Sequence, residues 1–280
     1  MNARRSATRR RSSSRAPLCA CALLLGVCTT DAIAQPDAGA RDLERGLRLL
    51  AEARYQQAIE HLERANGVAG GSSGPALIGL ARAHNDLGDS EQALALAQRA
   101  LDVVDDPGGR ALAAAEAALA LAAGAAPVEL GFDEALAMVR RVLAERDRSP
   151  LTDGLRIRLC TARARLDDDS PFSLAVIPVD PPRLLAPESG IRKPTKLYSP
   201  PPDTGVVRQR ETMRATEVAT VRAVIDVDGC VVAPRVEGAA HPEWASEVLE
   251  TASFWAFDPA RLGGVPVPVL FDLTFTFQRR

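Results

Sequence analysis

Three histidines, five cysteines and a run of aspartates are the residues of this chain that could do covalent, acid–base or metal chemistry. His61, His84 and His241 could each serve as a general base. None accompanies a Gly-x-Ser-x-Gly elbow, a Gly-rich phosphate loop or a ligand spacing that would hold a metal. His84 falls on the inner helix of a helical pair and reads as packing. Asp167, Asp168 and Asp169 lack the alternation of a calcium loop and read as a solvated helix end. The residues therefore point to no enzyme, no cofactor and no metal, and the chemistry left to the chain is recognition of another molecule.

The cysteines divide by position. Cys19, Cys21 and Cys28 belong to a stretch with six arginines in its first sixteen residues, an apolar run over 18–27 and Ala32-Ile33-Ala34 before Gln35. That is the order of an export signal with its cleavage site. The run is shorter than the roughly 20 residues of a spanning helix, so cleavage after residue 34 is expected, with a short uncleaved anchor as the alternative. Val27 before Cys28 argues against a lipoprotein, and the distance of the arginines from the apolar run argues against a twin-arginine signal. Cys160 and Cys230 are left to an exported chain. A single bridge between them would suit an oxidising compartment, but they fall in different expected domains, which favours free or loosely paired thiols. Without residues 1–34 the net charge is −7, by loss of six arginines and Asp31 from 34 basic and 36 acidic residues. Nucleic acid is not an expected partner.

Recognition residues need elements to position them, and the chain changes class partway along. Five of the seven Phe and both Trp lie within 244–277, whereas 42–166 is rich in Ala, Leu and Arg. In that first part Ala58, Leu62 and Ala65 recur as Ala93, Ala97 and Ala100, an offset of 35 residues. The clearest unit reads as a helix over 76–86, a Gly88-Asp89 turn, a helix over 91–104 and a stop at Pro107. Further helices are expected over 110–123, 132–143 and 151–166. An alanine-rich bundle is the plainer alternative. Residues 171–202 hold nine of the twenty prolines and read as an extended, semi-rigid spacer.

Beyond residue 221 the period becomes two. Val221, Ala223, Ile225 and Val227 face one way, and Asp228-Gly229 reads as a two-residue hairpin turn. His241-Pro242-Glu243 opens a helix with Trp244, Val248 and Ala252 on its apolar face. After Gly263-Gly264 a long strand is expected, with Val265, Val267, Val269, Phe271, Leu273, Phe275 and Phe277 on one face and Asp272, Thr274 and Thr276 on the other.

Two resemblances follow. The 35-residue period, with small Ala81, Ala93 and Ala100 where helices approach, resembles tetratricopeptide repeats. The strand ending at Asp226, Asp228-Gly229, Trp255-x-Phe257-x-Pro259, Gly264-x-Pro266 and the Phe-rich last strand look like the C-terminal domain of TonB proteins, with Tyr198-Ser199-Pro200 as a counterpart to an upstream Tyr-Pro. They imply a multidomain chain, α followed by α+β. Its parts would be a signal over 1–34, a tetratricopeptide-like α-solenoid over 35–166, a proline-rich linker over 167–196 and a TonB-like α+β domain with an antiparallel sheet over 197–280.

The TonB resemblance implies an exported periplasmic or cell-envelope protein that meets the TonB box of outer-membrane transporters, the peptide adding as a strand to a sheet edge. The matched contact candidates are Tyr198, Asp272, Leu273, Thr274, Phe275, Thr276 and Phe277. Asp228, Gly229, Trp255, Phe257, Pro259, Gly264 and Pro266 would be core and turn residues. The helical repeats would hold a second protein. An anchored energy transducer for transmembrane transport and a structural, peptidoglycan-associated adaptor are the alternatives. The chain departs from energy transducers in its short apolar segment, which carries no ionisable residue, and in having helices where they have a long extended linker. Both departures argue against coupling to a motor complex.

Overall fold

The computed structural model describes residues 38–127, 130–166, 183, 185, 189–202, 216–238 and 242–278. The expected signal, residues 167–169, most of the proline-rich segment and His241 lie outside the described residues.

Among the described residues seven helices come first: α1 (Ala38–Ala51), α2 (Tyr55–Val68), α3 (Gly74–Leu87), α4 (Ser90–Val103), α5 (Pro107–Ala122), α6 (Phe132–Glu145) and α7 (Pro150–Ala164). Their ends follow from local chemistry. Gly88, at φ 83°, closes α3, and Asp89 opens α4 by accepting from the Gln92 N–H at 3.4 Å. Pro107, read from sequence as a stop, also fills the first turn of α5. Ahead of it the Asp106 carboxylate accepts from the Gly109 N–H at 2.9 Å. Removing that cap by Asp106→Ala should lower the unfolding free energy by about 1 kcal/mol in urea denaturation.

Consecutive helices pack on one another, and α5 also packs on α3 and α7. Ala113, Ala114, Ala117, Ala118 and Ala120 of α5 are fully buried, and their small side chains let several helices approach one axis. Arg158 of α7 crosses to α3 and α5. It donates to both carboxylate oxygens of Asp86, at 2.7 and 3.0 Å, and its Nε lies 3.1 Å from Glu116. Burial pushes the Glu116 carboxyl up, and Arg158 pulls against that shift. No helix of the described residues is long and apolar enough to cross a membrane.

The second part holds short strands β1 (Ile191–Arg192) and β2 (Thr195–Tyr198), long strands β3 (Thr216–Ile225) and β4 (Val231–Gly238), and helix α8 (Pro242–Ser253). Then come β5 (Ala256–Asp258), β6 (Arg261–Leu262), β7 (Val265–Pro266) and β8 (Val269–Gln278). The main sheet is antiparallel in the order β4-β3-β8, and α8 packs on β3 and β4. Trp244, Val248 and Ala252 are fully buried against Val221, Ile225 and Leu273. An α part followed by an α+β part is thus the observed class.

Three expectations change. The last strand begins at Val269 instead of Val265: Pro266 and Pro268 interrupt it, and Val265 pairs with Leu262 in a separate hairpin that leaves its side chain 64% exposed. The turn between β3 and β4 is wider than two residues, with Ile225 paired to Val231 and Gly229 at φ 92°. Finally, Cys160 and Cys230 form a disulfide, their Cα atoms 5.1 Å apart. Free or loosely paired thiols were expected because the two lie in different parts. The structure packs α7 directly against β2, β5 and α8, so the distance in sequence does not separate them.

Candidate functional site

Strand β8 is built by simple alternation. Val269, Leu273 and Phe275 are buried toward the core, while Asp272, Thr274 and Thr276 are exposed on the other face. One edge of β8 pairs with β3 without a break, from Thr216 opposite Gln278 to Ile225 opposite Val269. The Phe277 backbone lies in this ladder opposite Glu217, and its side chain is outside the described residues.

The other edge of β8 is touched at its start only, among the described residues. The Arg183 N–H donates to the Pro268 carbonyl at 2.9 Å, and the Leu270 N–H donates to the Arg183 carbonyl at 3.0 Å. Leu270 therefore aims its backbone groups outward. By the alternation of a strand the same holds for Asp272, Thr274 and Thr276, which present a row of N–H and C=O groups along the outer edge. Arg222 on β3 braces this face, with Nε and Nη2 donating to the two Asp272 oxygens at 2.9 and 3.3 Å.

The opposite edge of the sheet differs. Strand β4 carries Pro234, has Ala233 at φ 48°, and pairs with β3 through two register shifts. Proline, bulges and the charged Arg235 and Glu237 are the features that block edge pairing.

Tyr198 is not brought to the β8 edge. It pairs with Ala256, is 42% exposed, and lines a recess of about 310 Å³ with Pro200, Glu250 and Phe254 between α7 and α8. Trp255 donates from Nε1 to the Pro200 carbonyl at 3.3 Å, and its ring lies 4.7 Å from that of Phe275. Phe257 is buried and meets Phe271 edge-on at 5.8 Å. Pro259 is buried between β5 and β6. Gly264, at φ 88°, turns β6 into β7, where Pro266 faces Arg261.

The turn that carries Asp228 and Gly229 is clasped by the helical part. Arg163 Nη1 lies 2.6 Å from Asp226 Oδ2 and 3.1 Å from Asp228 Oδ2. Arg140 donates Nε and Nη2 to the same Asp228 oxygen at 2.9 and 2.8 Å, and Arg156 donates to the Asp228 carbonyl at 2.7 Å. Asp226 Oδ1 accepts from the N–H groups of Asp228 and Cys230. Burial pushes the Asp226 carboxyl up, and the Arg163 guanidinium opposes it. Gly229 is required beyond its backbone angle, since a Cβ there would fall on the Phe257 carbonyl.

Searches against protein-family models, curated proteins and solved structures found no match to this chain.

The clasping arginines escaped the sequence reading, although their spacing held a signal. Arg156, Cys160 and Arg163 sit at i, i+4 and i+7 of α7, one face of a helix, and that face includes the buried Arg156 and Cys160. Buried arginines on one helical face mark a surface that meets an anion.

Proposed function

We propose that this chain is an exported cell-envelope adaptor that binds an extended segment of a partner protein by adding it as a strand to the outer edge of β8. The observation that carries this reading is the asymmetry of the two sheet edges. The β8 edge belongs to a strand of unbroken register, is free of proline from residue 269 onward, and presents the backbone groups of Asp272, Thr274 and Thr276. The β4 edge is guarded by proline, irregular register and charge. Main-chain hydrogen bonds would supply affinity, and alternate side chains register.

The TonB-like pattern makes the TonB box of an outer-membrane transporter the first partner to test. The Cys160–Cys230 bridge supports an oxidising compartment such as the periplasm. A second partner surface is supported by a concave recess of about 550 Å³ in the tetratricopeptide-like helices, lined by Leu47, Ile78, Leu112 and Leu151 with Arg82 among its charged residues.

The test is titration of the ¹⁵N-labelled chain from residue 35 with TonB-box peptides. Amide signals of β8 should shift, and Thr274→Pro should weaken binding about tenfold or more by removing an outward donor and presenting a ring to the incoming strand. Proline is tolerated at an outward edge position, so the fold should persist by circular dichroism. If saturating peptide leaves the β8 amides unmoved in the unsubstituted chain, the reading is wrong.

A further inference from the structure

We infer that the recess bordered by α1, α3 and α5 binds an aliphatic carboxylic acid, with its chain along the apolar walls and its carboxylate on Arg82. This rests on the reading of that recess as a second partner surface and names the chemistry of what enters it.

The recess has two unlike ends. Helices α3 and α5 pack side by side and run in the same sense. At the start of α3 a Cβ on Gly74 would meet Val104, just ahead of α5, and near its end Asn85 donates from Nδ2 to the Glu116 carbonyl at 2.9 Å. Pro75, Val104 and Leu151 line the first end, and Leu151 comes within 3.1 Å of where a Cβ on Gly108 would stand. Arg82 and Glu116 line the second end. Pro75 and Arg82 are seven residues apart on α3, so the trough is about 10 Å long. Leu47, Ile78 and Leu112 line it in between, each partly open to solvent.

The charged residues of the lining are Arg82, Asp106 and Glu116. Glu116 is 3% exposed and committed inward, with one oxygen 3.1 Å from Arg158 Nε and the other accepting from Asn85 Nδ2 at 2.9 Å. Asp106 lies at the start of α5, where it caps the helix through the Gly109 N–H, with Arg146 beside the same turn. Arg82 is different. Its Nε is 3.9 Å from Asp86 Oδ2, but both Asp86 oxygens already accept from Arg158 at 2.7 and 3.0 Å, and the Arg82 side chain is 50% exposed. Among the described residues it makes no side-chain hydrogen bond, so its guanidinium keeps the fork of donors that holds a carboxylate bidentately. The Asp106 carboxylate at the opposite end repels an acid, which sets the direction in which one lies.

The walls select an acyl chain over a peptide. They offer Leu, Ile, Val and Pro side chains on helices whose backbone groups are bonded within each helix. A peptide would bring N–H and C=O groups that find no partners there, whereas an aliphatic chain brings none. Apolar walls with one placed polar group, around a volume of about 550 Å³, are the features of a small-molecule site.

The experiment titrates the ¹⁵N-labelled chain from residue 35 with octanoate, octanol, butanoate and an alanine-rich peptide ending in leucine. Octanoate should shift the amides of Ile78, Arg82 and Leu112 and bind about tenfold more tightly than octanol. Butanoate, with four methylenes fewer, should bind at least tenfold more weakly than octanoate. Arg82→Gln should abolish the preference for the acid, leaving octanol binding and the circular dichroism spectrum unchanged, and Arg82→Lys should keep part of it. Leu47→Ser, at a position 43% exposed, should weaken acid and alcohol alike. Equal binding of octanoate and octanol, or a preference that survives Arg82→Gln, overturns the inference and leaves the recess a partner surface. Binding of the peptide without binding of octanoate overturns it in favour of a protein partner. Recess amides unmoved by all four ligands overturn the inference and the second partner surface together.

Discussion

Replacing Cys160 and Cys230 together by alanine is expected to lower the unfolding free energy by about 4 kcal/mol. The bridge closes a loop of 70 residues in sequence, and restraint of an unfolded chain over that length corresponds to roughly this value at 25 °C. The loop runs from α7 to the start of β4, so it contains β1, β2 and β3. Loss of the bridge removes the covalent tie between α7 and the β3–β4 turn. Both cysteines are buried, at 1% and 2% exposure, so reductant should act slowly on the native chain and quickly once it opens. In urea denaturation, dithiothreitol should bring the unsubstituted chain down to the double variant and leave the variant unchanged. A double variant within 1 kcal/mol of the unsubstituted chain would show that the bridge contributes little to holding the two parts together.

What could be read from the sequence was whatever the chain states locally. Gly88-Asp89 and Pro107 mark helix ends because a left-handed glycine, a capping carboxylate and a residue with no N–H each act within a few positions. Val269, Leu273 and Phe275 declare a half-buried strand by period alone, and Trp244, Val248 and Ala252 declare a helix face. The same periodicity misled where proline overrode it, since Val265 and Val267 continue the alternation but Pro266 and Pro268 cannot continue the ladder. Residues 272–276 were legible as part of a strand by their alternation. That Arg183 covers the first groups of its outer edge was not, because one residue making a parallel bridge leaves no pattern in sequence.

The clasp shows the harder limit. Asp228 could be read as a turn residue, which it is, but its burial depends on Arg140 and Arg163, which are 88 and 65 residues away in sequence. Cys160 and Cys230 could be counted but not paired, because pairing depends on α7 lying against the β3–β4 turn. A face of α7 holding Arg156, Cys160 and Arg163 was a readable oddity, since arginine is rarely buried without an anion to meet. It named a kind of partner without saying where in the chain the partner lies.

Arg163→Leu is expected to cost about 3–5 kcal/mol, because it leaves the carboxylate of Asp226 buried without its guanidinium partner and close to Asp228, which keeps Arg140. Burial decides the size. The Arg163 side chain is 5% exposed and that of Asp226 is 7%, so water cannot replace the lost partner. Arg140 also meets Asp228 but is 47% exposed, and Arg140→Leu should cost no more than about 1 kcal/mol. Dependence on pH separates this loss from a simple packing defect. Burial already raises the Asp226 carboxyl in the folded chain, and removal of Arg163 raises it further. A carboxyl that titrates higher when folded than when unfolded binds more protons in the folded state, so the stability of the variant should rise as pH falls from 7 toward 5. Arg163→Leu combined with Asp226→Asn should recover part of the loss at pH 7. The neutral amide removes the repulsion and keeps an oxygen for the N–H groups of Asp228 and Cys230. A deficit of equal size at both pH values, untouched by Asp226→Asn, would mean that Arg163 acts by filling space, and the turn would then be held by the disulfide, Arg156 and Arg140.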